Sequence, residues 1–357
     1  MLKTVVYIIL LVGFWTMISC SVSTTDTTDP AYSLAVPSHF PRPTIPSTNP
    51  LTVNKIQLGR MLFYDKRISE DLQIACASCH KQEFAFGSNK KLDTKVHGAS
   101  TVRNSSVLFN LAFTNNFFWD GRTNDLEATC LDAMKGEQKF NIDFVKTRLM
   151  TEQAYKDRFK LAFNTTEPTE DMVVKAIASF IRTMVSANSN IDNGIKEGDI
   201  NKYLSADARD GRTIFATEEG DCFHCHGDPQ SLSIMTDNLF HNNGLDSFKD
   251  ASQFLDKGFG GITGGNASNI GKFKTPPLRN LSFSAPFMHD GRIATLDGVL
   301  KHYNSEVYSS VSIDANMKKV GQGGLQLTPD RLAKLKAYLL SFDDPSFIQD
   351  TAFKSPF

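Results

Sequence analysis

Two stretches of this 357-residue chain carry thiols and imidazoles at a spacing that does chemistry: CASCH at 76–80 and CFHCH at 222–226. In C-x-x-C-H, two cysteines three residues apart can each capture one vinyl group of a porphyrin, and the next histidine falls beneath the iron. Cys76, Cys79, Cys222 and Cys225 therefore read as two thioether pairs, with His80 and His226 as proximal ligands of two c-type haems. Zinc is the rival for paired cysteines. The pairs lie far beyond the roughly 15–20 residues that separate them in a zinc ribbon, and the adjoining histidines would be idle. A redox dithiol would need a thioredoxin-like βαβ pattern, which neither motif has around it. Cys130, in the helical run DLEATCLDAM, reads as a small buried apolar residue, and His224 as a solvated insert inside the second motif.

The elements that position these motifs come in two matched sets. The first runs GRMLFYDKRIS, CASCH, RN at 103–104 and WDGRTNDL at 119–126. The second runs GRTIFAT, CFHCH, RN at 279–280 and HDGRIATL at 289–296. The expected fold is therefore mainly α, two cytochrome c-like haem domains related by internal duplication. In that register Trp119 corresponds to His289, and Tyr303 to Ala133. The helix TLDGVLKHYN places Leu296, Val299, Leu300 and Tyr303 on one face at i, i+3, i+4 and i+7. Tyr303 thus points inward and His302 lies about 100° round. Tyr303 is the better second axial ligand, whereas Ala133 cannot ligate, so one iron is closed and the other open to a small oxidant. The segment at 169–188 reads as a strongly amphipathic helix, and TPDRLAKLKAYLLSF at 328–342 as a helix capped by Thr328 with Pro329 at its first position. GFGGITGGNASNIGKF lacks the ending and strand of a phosphate loop and reads as a loop near a haem edge or partner surface.

At the scale of the chain, 41% hydrophobic and 22% charged residues suit a globular protein with room for two cores. A net charge of −1 points to neither nucleic acid nor an anionic membrane surface as partner. Residues 1–20 have the layout of an export signal, ending in MISC, which resembles a lipoprotein processing site that would leave Cys20 lipidated. Residues 21–50, rich in Ser, Thr and Pro, read as a flexible tether to a membrane.

The two C-x-x-C-H units, with RNSSVLFNLAFTNNFFWDGR and KTPPLRNLSFSAPFMHDGR, resemble the bacterial dihaem cytochrome c peroxidase family, which includes MauG-type enzymes. The likeness spans about residues 51–345. It implies an N-terminal peroxidatic haem domain at 51–200, with His80 as proximal ligand, and a C-terminal electron-transfer haem domain at 201–357, with His226. Trp119 would relay electrons between the haems, and His289 would lie close to the second. His97 would cap the first iron at rest and leave on activation. Asn104, with the carbonyls of Ser284 and Pro286, would bind an interdomain calcium ion. Two positions depart from the family pattern. Tyr303 stands where the peroxidases usually have Met and MauG-type enzymes have Tyr, with Met288 and Met317 as alternative sulfur ligands. The distal glutamate position falls on Lys139, leaving Glu137 as the candidate that moves a proton between the peroxide oxygens. The implied activity is reduction of hydrogen peroxide with electrons from a small exported cytochrome c or cupredoxin, in a periplasmic protein that could form a homodimer. The alternatives are MauG-like oxidation of a protein substrate and a non-catalytic dihaem electron carrier. His241, in FHNNG, has no role assigned from sequence.

Overall fold

A computed structural model describes residues 29–357, so the signal segment and Cys20 lie outside the described residues. The described chain is mainly helical, with one two-stranded antiparallel ladder pairing Phe240–His241 with Phe273–Lys274.

Each half is organised by a pair of helices that cross at a glycine. Helix α1 (Val53–Tyr64) buries Leu58, Leu62 and Phe63 at helical spacing. It passes so close to α3 (Glu170–Arg182) that a Cβ on Gly59 would lie 1.9 Å from the Ala176 carbonyl oxygen. In the second half α4 (Ala206–Phe215) crosses α6 (Pro329–Leu340), and a Cβ on Gly211 would lie 1.9 Å from the Lys334 carbonyl oxygen. The two Gly-Arg pairs of the sequence are thus close-approach points where only a hydrogen fits. Between these pairs run α2 (Leu126–Gln138) and α5 (Leu296–Ser305), which carry the remaining site residues. Asp125 caps α2 by accepting from Ala128 N at 2.7 Å, and Thr295 caps α5 by accepting from Gly298 N at 3.1 Å. Thr328 caps α6 with Pro329 in its first turn, as its sequence indicates.

Three expectations are revised. First, the helix expected over 169–188 ends at Arg182, because Met184 and Ser186 turn out to bond Asn110: Asn110 N donates to Met184 O at 2.8 Å and Ser186 N to Asn110 Oδ1 at 3.0 Å. Second, residues 29–50 are not a free tether. Tyr32 N donates to Leu51 O at 2.9 Å and Thr44 N to Ala112 O at 2.7 Å, Phe40 is buried, and His39 Nε2 meets Asp192 Oδ1 at 2.8 Å. Low helical periodicity signals irregular backbone, which can still be tied down by backbone hydrogen bonds and one aromatic anchor. Third, the boundary between halves is not at 200. Ile191 already packs in the second core, while Phe347 and Phe353 return to the first. There Tyr64 Oη donates to Phe353 O at 2.7 Å and Gln82 Nε2 to Asp350 O at 2.7 Å. No described helix is long and apolar enough to cross a membrane.

Candidate functional site

Both motifs open onto one continuous cavity of about 470 Å³ that runs between the halves. Cys76, Cys79, His80, Cys222, Cys225 and His226 all line it. The four thiols are unpaired, and burial pushes those of Cys76, Cys79 and Cys222 up, to about 11, 12 and 12. In the first half His80 Nδ1 bonds Phe86 O at 2.9 Å; in the second, His226 Nδ1 bonds Met235 O at 3.0 Å. Each carbonyl belongs to a residue with positive φ, 56° and 59°. A carbonyl can only accept, so Nδ1 carries the proton and Nε2 is left as the metal-binding nitrogen on both rings. Burial also lowers both imidazole pKa values, favouring the neutral ring a metal needs. Thiol pairs, oriented imidazoles and an apolar lining fit two covalently attached porphyrins.

The helix that follows each motif decides what lies across the cavity. On α5, Leu296, Val299, Leu300 and Tyr303 all line it, as the helical phase requires. Tyr303 Oη accepts from Asn243 Nδ2 at 3.1 Å, and burial pushes its phenol up to about 12. His302 is buried away from the cavity and donates from Nε2 to Asn243 O at 3.1 Å. Asn243 therefore holds both residues, one through its side chain and one through its backbone. Met288 and Met317 also line the cavity, and Met288 Sδ lies 3.5 Å from Asn243 Nδ2.

On α2 the corresponding face presents Leu126, Thr129, Cys130, Ala133 and Glu137. Ala133 offers no donor atom. Glu137 faces the cavity, and its Oε2 is buried without any hydrogen-bond partner. Burial raises its carboxyl above the ordinary value. Lys139, the residue at the family's glutamate position, is exposed and closes the helix with φ 51°. Neighbouring Gln138 places Nε2 3.5 Å from Cys76 Sγ.

Trp119 lines the cavity between the halves. Its Nε1 donates to Asn104 O at 2.9 Å, and its own carbonyl accepts from Lys274 N at 2.8 Å. Asn104 N in turn donates to His289 O at 2.8 Å, so one backbone unit ties Trp119 to His289. The His289 ring lines the cavity and stacks on Phe273 at 3.6 Å and 9°, and burial lowers its pKa to about 4. Asn104 is buried, and its Nδ2 donates to Lys90 O at 2.9 Å, which leaves the amide oxygen as its free end. Ser284 and Pro286 line the cavity on the turn that contains the cis Ala285–Pro286 bond.

His97 is not brought to the site. Its side chain is 63% exposed, its ring meets Glu70 Oε2 at 2.6 Å, and its N–H donates to Asp71 Oδ2 at 3.0 Å.

Two site residues carry no signal that sequence reasoning used. His241 lines the cavity with Nδ1 2.7 Å from Asp314 and Nε2 2.8 Å from Asp237. Burial opposes its charge, but hydrogen bonds to Asp237 and Asp314, with the Cys225 thiol beside it, lift its pKa to about 12 and favour the imidazolium. Lys274 is enclosed at the cavity wall, and burial lowers its ammonium to about 8. Only its place on the ladder beside Phe273 puts it there, which no local pattern announces.

Comparison with known proteins agrees with this geometry. A family profile described as di-haem cytochrome c peroxidase matches residues 53–199. The chain is similar to the methylamine utilization protein MauG of Methylophilus methylotrophus, 32% identical over 314 residues, 85% of this chain and 90% of the relative. It is similar to cytochrome-c peroxidase IdrP1 of Denitromonas iodatirespirans, 30% identical over 335 residues and 86% of each chain. Among solved structures, a MauG-like protein associated with microbial copper homeostasis aligns with a TM-score of 0.82 at 29% identity, covering 91% of this chain and 99% of that one. The diheme peroxidase BthA of Burkholderia thailandensis shares the fold, with a TM-score of 0.69 at 16% identity and coverage of 92% and 97%.

Proposed function

The chain belongs to the di-haem cytochrome c peroxidase family, and on that premise we propose that it reduces hydrogen peroxide to water at its first motif, drawing electrons through its second. The observation that carries this reading is Glu137: a cavity-facing carboxyl with an orphaned oxygen, on the helix face where Ala133 offers no ligand atom. Two covalently held c-type haems, when bound, supply the peroxide-binding metal and the electron storage.

The chain's own residues do the rest. His80 and His226 each present Nε2, held in place by the carbonyls of Phe86 and Met235. Peroxide reduction consumes two protons and two electrons for two waters. Glu137 Oε2 takes a proton from one peroxide oxygen and returns it to the other, so that the O–O bond breaks with one water leaving, and the two electrons and two protons then convert the remaining oxygen to the second water. Its burial keeps the carboxyl poised to hold that proton. Trp119, tied to both halves, is the aromatic group through which charge crosses from the second motif to the first. Lys274 is the cavity-lining cation suited to a porphyrin carboxylate. The parallel glycine crossings, histidine tethers and capped helices support descent of the halves from one duplicated unit. Asn104 Oδ1 with the Ser284 and Pro286 carbonyls forms an oxygen donor set suited to calcium. The electron donor is a small exported redox protein, and the chain acts outside the cytoplasm, held at a membrane through Cys20.

Tyr303 favours a second reading, MauG-like oxidation of a protein substrate. A phenolate is a hard anionic donor that stabilises oxidised iron, where a thioether raises the potential. Peroxide turnover with reduced cytochrome c, compared between wild type and Tyr303→Met, separates the two. The peroxidase reading expects turnover in the wild type and faster reduction of the second haem in Tyr303→Met. Protein oxidation without cytochrome c consumption gives the MauG-like reading, and no peroxide consumption by either protein defeats both. An unchanged ferric spectrum in Tyr303→Ala removes Tyr303 as ligand.

A further inference from the structure

One cluster of metal-binding donors has no part in the chemistry above, although one of its members, Asp221, also lines the cavity. In TEEGDCFHCH, Glu218, Asp221 and His224 bring one ligand atom each to within 4.8 Å of the others. His224 Nε2 is 3.1 Å from Asp221 Oδ1 and 3.3 Å from Glu218 Oε1. A cation already reaches this group: Lys318 Nζ is 2.8 Å from Glu218 Oε2 and 3.0 Å from His224 Nε2.

An ammonium can only donate, so His224 turns a lone pair toward the cluster. Asp221 Oδ1 then faces an acceptor, not an N–H. The Asp221 side chain is 9% exposed, and that oxygen is buried with no hydrogen bond to satisfy it. Leaving a buried carboxylate oxygen against a lone pair costs free energy that a cation placed between them removes. Lys318 reaches Glu218 and His224 from outside and leaves Asp221 Oδ1 unsatisfied.

We propose that Glu218, Asp221 and His224 form a binding site for a divalent transition-metal ion, which displaces the Lys318 ammonium. One imidazole with two carboxylates is a donor set for Zn²⁺ or Cu²⁺; Ca²⁺ and Mg²⁺ prefer oxygen alone. His224 stands between Cys222 and Cys225, so the ion sits at the outer edge of the second attachment motif.

The test is Zn²⁺ titration of the haem-loaded protein, followed by calorimetry and by metal analysis after gel filtration, with the haem-to-protein ratio measured for every variant. The wild type is expected to take up one Zn²⁺ and to leave Ca²⁺ unbound at this site. Glu218→Gln and Asp221→Asn weaken Zn²⁺ binding by about tenfold or more, and Lys318→Gln tightens it by removing the competing cation. Glu218 and Lys318 are exposed and outside the motif, so those two variants test the site even if changes at Asp221 or His224 impair maturation. With Cu²⁺, the nitrogen coupling in the electron paramagnetic resonance spectrum disappears in His224→Gln. The proposal is overturned if wild type takes up no Zn²⁺. It is equally overturned if Glu218→Gln and Lys318→Gln bind as wild type does, which would mean an adventitious ion only.

Discussion

His241 shows how much one side chain can carry at the residue scale. Its imidazolium is clamped between Asp237 and Asp314 beside the second motif, and neither carboxylate has an equally close cation to replace it. His241→Gln should therefore destabilise the protein by about 3 kcal/mol, the cost of leaving close carboxylates unpaired. The pH dependence has a definite sign. The folded pKa, about 12, stands above the ordinary 6.5, so the contribution is complete below pH 6.5 and is lost as pH rises toward 12. Urea unfolding of both proteins from pH 6 to pH 9 should show a gap that narrows with pH; a widening gap would contradict the assignment. Sequence reasoning reached the residues whose roles are local. The haem-binding cysteines and histidines follow from fixed spacing, and Tyr303 over His302 follows from helical phase. Lys274, Asn243 and His241 were not legible, because each gains its role from partners far along the chain. His97 was placed by a motif, but where its ring points depends on Glu70 and Asp71, carboxylates from a separate loop earlier in the chain.

At the element scale, the paired crossings of α1 on α3 and α4 on α6 set the spacing on which each site depends. Gly59→Ala and Gly211→Ala each force a methyl against a backbone carbonyl 1.9 Å away, so the helices must separate. Each should cost about 1–3 kcal/mol, the usual penalty of overpacking, read as a lowered thermal midpoint of the haem-loaded protein. Unchanged midpoints would show that the crossings are looser than described. The repeated Gly-Arg was visible in the sequence as a pattern, but its meaning was not, since close approach belongs to two helices more than a hundred residues apart. The overlong helix expected at 169–188 has a similar cause. Its apolar pattern continues past Arg182, yet Asn110 captures the backbone there and ends the helix.

Across the whole molecule, polar clamps tie the halves together, as where Arg103 donates to Asp256 at 2.7 and 2.8 Å, and tie the N-terminal segment to the second half. Arg279 and Asp192 form a fully buried bidentate pair at 2.8 Å, which His39 extends to the N-terminal segment. Burial would raise the Asp192 carboxyl, but Arg279 and His39 hold it far below the usual carboxylate range. This clamp explains why residues 29–50 are ordered despite a composition that suggests a tether: a few buried partners outweigh a low hydrophobic content. The proposed calcium site lies between the two halves, from Asn104 to Ser284 and Pro286. Removing calcium with a chelator should reduce peroxide turnover, and added Ca²⁺ should restore it. Turnover indifferent to chelation would remove calcium from the account.

In the proposed mechanism Glu137 handles the proton for peroxide reduction on the first half's side of the cavity. Its most direct test is steady-state peroxide reduction by the haem-loaded protein with reduced cytochrome c, in wild type and Glu137→Gln, with haem content and spectra matched. Glutamine keeps the shape and loses the acid-base function, so turnover should fall by about 10²-fold to 10⁴-fold while haem attachment is unchanged. A Glu137→Gln protein that reduces peroxide at the wild-type rate would contradict it.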